Sequence, residues 1–506
     1  MKLRHLCLLV VLCGRASPSW AVAPSDREII HILNRLASGP TAADIAHVRQ
    51  IGIDAYIAEQ LNPQAIPESP ELTRRLAGLD TLRLDPIQLF RQYGPVLPVR
   101  GVKATLEEQK ARRQASRIIV EQARAARIYR ALYSRRQLNE VMVDFWYNHF
   151  NVFAGKGLDH LWVGAYERDA IRPYALGHFR DLLMATAKSP AMLFYLDNWQ
   201  NSAPGSRMPG GREAGINENY AREVMELHTL GVDGRYTQAD VISLARILTG
   251  WGLARPRLPP PDPTGFYFDP ARHDFGSKQF IGRTIPPGGE SEGVAALDML
   301  AQSPATAHHI AFELAQYFVS DAPPPALVDR LAARFTATGG DIKQVLAALF
   351  ASPEFSGSAG QKYKTPYRYV LSAARAAGIA VDNPRPLLGM MARLGMPLYG
   401  CLTPDGYKNT ESSWLSPEAT TLRVSLAMAI AGGRLPLGAA PADGTAPPQV
   451  TPVAAVNKAP AHPVDAGALE TLLGPSLSAH TWAVIDAARP GLRGGLLLGS
   501  PDFMRE

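Results

Sequence analysis

The chain has 506 residues, 46% of them hydrophobic and 19% charged. That balance excludes an intrinsically disordered chain and allows one large core or two modest ones. The formal net charge is +6, but basic residues are interspersed with acids rather than banded, which argues against a nucleic-acid surface.

Residues 1–21 read as a secretory signal: Lys2, Arg4 and His5 precede a short apolar run over 6–12, too short to span a bilayer as a helix. Cleavage after Ala21 is preferred to cleavage after Ala23, because Pro24 would follow the second cut. Removing the signal takes three cations (Lys2, Arg4, Arg15) and no acid, so the net charge falls from +6 to +3. It also removes Cys7 and Cys13, leaving Cys401 as the remaining cysteine; no internal disulfide or cysteine metal cluster is then expected. No later apolar run is long and unbroken enough for a membrane helix, so the expectation is an exported protein, periplasmic or extracellular, without an integral membrane segment.

Onward from there the dominant period is helical. Residues 102–133 form a long candidate helix with apolar positions at three- and four-residue steps, followed by a more aromatic one over 138–153. Segments 307–319, 327–335 and 342–350 are similar. Ser189-Pro190, Ser303-Pro304, Ser352-Pro353 and Ser500-Pro501 recur after apolar runs, with serine placed to cap a helix and proline in its first turn. Residues 255–289 read as a long excursion with at most a small β-hairpin. The expected architecture is mainly α: a large single helical domain over 25–432 with long Pro/Gly-rich connections, an Ala/Pro-rich linker or loop over 433–463, and a C-terminal helical segment over 464–506 packing back on the core.

Three stretches carry polar residues in patterns that bear on chemistry. Between 217 and 241, Asn219, Glu223 and Glu226 share a narrow stripe flanked by Glu218 and Arg222, while His228 projects from the apolar side and Gly231 ends the helix. Thr237 and Asp240 resemble a capping box for the next helix. Glu223 and Glu226 are placed to converge on a cation or share a proton; the competing reading is a solvated face of Glu218, Arg222 and Glu226 ion pairs. Glu226 and His228 are two apart and do not face each other, which excludes the Glu-x-x-His di-iron pattern.

Between 139 and 153, Glu140, Asp144, Asn148 and Asn151 form a polar stripe and His149 lies among aromatics. Two such faces packed together would place His149 and His228 in one low-dielectric environment. Between 272 and 282, His273, Asp274 and Lys278 surround a glycine turn, suited either to anion binding and proton transfer or to a pinned turn. No phosphate loop, Gly-x-Ser-x-Gly elbow or His-Glu-x-x-His motif is present.

Together FWYNHF (145–150), AMLFYLDN (191–198), NENYAREVMELHTLGV with YTQADV, LTGW (248–251) and HDFGSK (273–278) resemble the bacterial domain-of-unknown-function family eighteen hundred, and the closing SPDFMRE is similar to that family's end. Val224-Met225, where leucines are common, and a Pro-rich insert over 255–263 are the departures. The resemblance implies export, a largely helical fold and a co-exported sulfatase-like protein as a recurrent neighbour; it implies no reaction. It also raises the weight of the polar motif residues Asn148, Asn198, Asn219, Arg222 and Lys278.

Two readings follow. The first is an enzyme acting on an extracytoplasmic substrate, with a divalent metal on Glu223, Glu226 and His149 and with His149, Glu223, His228, His273 and Asp274 as catalytic candidates. The second is a non-catalytic helical scaffold, a partner of the sulfatase-like protein, in which these residues form a buried polar network. An open pocket shared by the carboxylates and a histidine favours the first; carboxylates paired only with arginines on a closed surface favour the second.

Overall fold

The computed structural model describes residues 24–96, 104–206, 215–254, 263–438 and 463–506. Residues 1–21, read as a signal in the sequence, and most of the Ala/Pro-rich segment, 439–462, lie outside these residues. The described chain is 61% helical, with 24 helices and two antiparallel two-stranded sheets. It is a mainly α single domain. No described helix is long and apolar enough to cross a membrane.

Local chemistry sets most helix boundaries. The long helix Leu106–Tyr133 starts from a Thr105–Glu108 capping box, and Gln238–Ile247 starts from the Thr237–Asp240 box read in the sequence. Ser303 and Ser352 cap the helices that open with Pro304 and Pro353, whereas Ser189 makes no side-chain cap bond. The C-terminal segment is three helices, Ala466–Leu473, Ala479–Asp486 and Pro490–Leu498, the last set off by Pro490, which cannot supply the N–H that a continuous helix needs. The helix Pro490–Leu498 packs against Pro417–Ala431. The excursion after the LTGW motif holds two hairpins rather than one, Trp251–Leu253 with Phe266–Phe268 and Lys278–Phe280 with Arg283–Ile285.

A buried ion network ties the centre together. Arg127, 3% exposed, donates to Asp144 at 2.5 Å and to Glu167 at 3.1 Å. Arg172 donates to Glu167 at 2.8 Å and to Glu140, and the Tyr399 hydroxyl donates to Glu167 at 2.7 Å. Glu140 and Asp144 are therefore held by arginines: Asp144 ties the helix Gln137–His149 to the long helix before it, and Glu140 ties it to Arg172 of a later segment.

Burial pushes the Glu167 carboxyl up, but Arg127 and Arg172 outweigh it and hold the group below the usual carboxylate range. Glu506, paired with Arg368, is lowered in the same way against the pull of burial. A carboxyl lowered by folding contributes stability above its unfolded-state pKa and loses it as pH falls through the folded value. The contribution of these two carboxyls to the urea midpoint is thus expected to be fully present at neutrality and to be lost as the solution is acidified below about pH 4.5. A midpoint unchanged down to about pH 3 contradicts the network's contribution.

Candidate metal centre

The helix Gln137–His149 ends at His149, where Phe150 leaves helical geometry and the Asn151 side chain donates to the Cys401 and Thr403 carbonyls. The helix Pro304–Phe318 carries His309 and Glu313 one turn apart on one face. Between them comes the turn after the helix Asn219–Glu226. That helix stops five residues before Gly231. The amides of His228 and Leu230 bond carbonyls five residues back, Glu223 at 3.2 Å and Met225 at 2.9 Å, which winds the chain wider and carries His228 inward.

This turn presents two successive carbonyls to two imidazoles. His149 Nε2 donates to the His228 carbonyl at 3.1 Å, and His309 Nε2 donates to the Leu227 carbonyl at 3.1 Å. Gly231 has φ +84, and a Cβ there would sit 3.2 Å from His309 Nδ1; the motif glycine supplies both the turn and the close approach.

His149, buried, places Nδ1 2.5 Å from Glu313 Oε2, and His309 Nε2 lies 3.6 Å from Glu313 Oε1. The three residues offer ligand atoms that all lie within 4.8 Å of one another. Because Nε2 of His149 is committed to a carbonyl, its Nδ1 is the nitrogen that faces the carboxylate; a cation there takes the place of the proton on that contact. A ligating histidine whose other nitrogen donates to a backbone carbonyl is the usual arrangement around a metal. Burial pushes Glu313 up, but the His149 charge and hydrogen bond, then His309 and Lys408, outweigh it and leave the carboxylate lowered.

The cluster forms part of the wall of an open cleft of about 340 Å³, bordered also by Asn148, Glu226, Phe312, Asp405, Tyr407 and Lys408. Asn148 fixes one rim, donating to the Tyr407 carbonyl at 2.9 Å and accepting from its amide at 2.8 Å. A Cβ at Gly406 (φ +67) would lie 2.8 Å from the Asn148 side-chain oxygen. Glu226 makes no ion pair among the described residues and is hydrogen-bonded to Tyr236. Glu223, half-buried one turn back, is raised by burial and then by Glu226, with Asp405 adding to the shift and Arg222 opposing it.

The ring centroids of His149 and His228 are 5.9 Å apart, so the two motif histidines do share one environment. His228 is 1% exposed, and burial first, then His149 and His309, push its imidazole well down. Its ring is outside the three-residue donor group. Glu223 and Glu226 are also outside that group.

Asn198 is buried and donates to the Leu248 and Trp251 carbonyls at 3.3 and 3.0 Å. Asn219 donates to the Leu196 carbonyl at 3.2 Å, and Arg222 bridges Glu218 and Gln238 at 3.1 and 3.0 Å. His273, Asp274 and Lys278 assemble elsewhere. His273 Nε2 donates to Glu292 at 2.9 Å, Lys278 Nζ to the other Glu292 oxygen at 2.5 Å, and the Gly288 and Gly289 amides to Glu292 at 2.8 and 3.0 Å. Asp274 accepts from Arg246 at 2.7 Å. This group pins the second hairpin to the helix Glu290–Ala301. Lys278→Met leaves the buried Glu292 short of its cation, so a loss of about 3–5 kcal/mol in urea unfolding is expected, with metal content unchanged. Reduced metal content in a folded Lys278→Met protein contradicts the separation of the two groups.

His309 and Glu313 are the donors that the sequence patterns did not single out. The His-x-x-x-Glu spacing in AHHIAFEL is the signal that points to them, since it places both on one helix face.

A family model described as "Protein of unknown function (DUF1800)" matches residues 31–505, and the chain belongs to that family. No curated protein and no solved structure matches it.

Proposed function

We propose that this DUF1800 member is a divalent-metal-dependent hydrolase acting on an extracytoplasmic substrate, with His149, His309 and Glu313 holding the metal. The observation that carries the reading is the clustering of two imidazoles and one carboxylate within 4.8 Å in the wall of an open cleft. Three protein donors leave a coordination position for water, the hallmark of catalytic rather than closed structural sites. When bound, a divalent cation lowers the pKa of that water and polarises an acyl or phosphoryl oxygen.

The chain's own residues supply the rest. Glu226, in the same cleft without an ion pair, accepts a proton from the attacking water. Glu223, whose carboxyl is raised by burial and by Glu226, returns a proton towards the leaving group through that pair. The His228 carbonyl holds His149 Nε2 and leaves Nδ1 for the cation, whereas His309 would exchange the Leu227 carbonyl for the cation at Nε2, the nitrogen that faces Glu313. These carboxylates favour hydrolytic over oxidative use of the two-histidine, one-carboxylate set. Export and a sulfatase-like exported neighbour belong to this proposal as its setting.

The second reading, a non-catalytic helical scaffold for that neighbour, draws its support from Glu140 and Asp144, which are locked to arginines. It requires no metal.

Zinc titration into the chelator-treated protein separates the two. One equivalent should bind with net proton release, since the cation displaces the proton at the His149–Glu313 contact. Absence of stoichiometric binding contradicts the hydrolase proposal.

A further inference from the structure

A second cavity, of about 490 Å³, is bordered by Arg27, His31, Asn34, Lys364, Asp502 and Glu506, among others. None of these residues borders the metal cleft. The surrounding interior holds more cations than acids. Lys362 is paired with Asp321 at 2.5 Å and Arg368 with Glu506 at 2.9 Å, while Arg35 lies 3.9 Å from the same Glu506.

Lys364 and Arg423 are then left without an acid. Arg423 stacks on Tyr363 and Tyr369, its guanidinium 4.3 and 4.8 Å from the ring centroids, and donates to the Lys364 carbonyl. Lys364 is 2% exposed, and its ammonium lies 4.0 Å from the Phe503 ring centroid with no hydrogen bond or ion pair among the described residues. A buried ammonium without a partner is costly, and native interiors normally supply a counter-charge. Arg27 is exposed at the same cavity and carries no ion pair among the described residues. The two acids there are already engaged: Glu506 by Arg368, and Asp502 by the Ser478 amide at 2.7 Å.

The same cavity also has orphan acceptors. His31 Nε2 donates to the Phe355 carbonyl at 3.0 Å, so Nδ1 presents a lone pair, and that atom and Asn34 Oδ1 are buried without a partner. We propose that the cavity binds a small oxyanion that also bears a hydroxyl, the class of hydrogen phosphate and hydroxy acids. Lys364 and Arg27 meet the negative oxygens, and His31 Nδ1 and Asn34 Oδ1 accept from the hydroxyl.

Burial, opposed by Glu506 but reinforced by Arg368, Arg423 and Arg35, pushes the Lys364 amine down to about 7. An arriving anion favours the charged amine, so binding takes up a proton.

The test is calorimetric titration of the full chain with inorganic phosphate in the presence of a chelator, in two buffers of different ionisation heat. Expected are saturable one-to-one binding, net proton uptake, and an affinity at least about tenfold above that for sulfate, which has no hydroxyl at neutral pH. Lys364→Met should weaken binding about thirtyfold or more and abolish the uptake. Arg27→Gln, a surface change that spares the core, should weaken it less. Absence of saturation, or unaltered binding in both variants, overturns the site; equal affinity for sulfate overturns the hydroxyl-bearing class.

Discussion

His309→Ala and Glu313→Ala are each expected to reduce bound metal from about one equivalent to below a tenth, with affinity falling at least about a hundredfold. The reasoning is one of donors: removing either leaves two, and losing Glu313 also takes away the acid that faces His149 Nδ1 at 2.5 Å. His149→Ala should behave in the same way. His228→Phe is the informative contrast. His228 contributes its backbone carbonyl to His149, and its ring lies outside the donor group, so this variant should retain metal. Elemental analysis of the four purified proteins after dialysis checks the set. Metal retained by Glu313→Ala, or lost from a folded His228→Phe, contradicts the assignment.

Arg127→Met should cost about 3–5 kcal/mol in urea unfolding. The guanidinium is 3% exposed and serves two carboxylates, Asp144 and Glu167, from different segments. Methionine fills much of the space but leaves Asp144 without its cation and Glu167 with Arg172 alone. Arg127 is held charged by Glu167 and Asp144 against the pull of burial, so the lost interaction is one between full charges. A loss below about 1 kcal/mol would mean that the network behaves like an exposed ion pair.

The helical architecture was legible because its determinants are local. Apolar spacing located the long helix, and the Thr237–Asp240 box stands where the sequence placed it. Boundaries slipped where the signal is not local: the C-terminal segment over 464–506 is broken before Pro490, and the helix from Asn219 ends at Glu226 because a wider turn is stabilised by what packs on it.

The candidate site was legible only in outline. The polar stripe of Glu140 and Asp144 reads like a chemical surface, yet its partners Arg127 and Arg172 lie on other segments, and no spacing rule links them. His149 was recognisable by its aromatic surroundings. His309 and Glu313 were not, because in an apolar helix the His308-His309 pair and one glutamate look like ordinary surface positions. Only packing of the segments around 149, 228 and 309 shows that the Leu227 and His228 carbonyls accept from the two imidazoles. His273 and Lys278 illustrate the converse: a motif that looks reactive in sequence is closed on Glu292 in the fold.

Anomalous scattering from crystals of the zinc-loaded protein shows where a metal sits. One strong peak is expected within bonding distance, about 2.0–2.2 Å, of His149 Nδ1, a His309 nitrogen and a Glu313 oxygen. A peak between Glu223 and Glu226 instead, or no ordered peak in the cleft, would contradict this assignment.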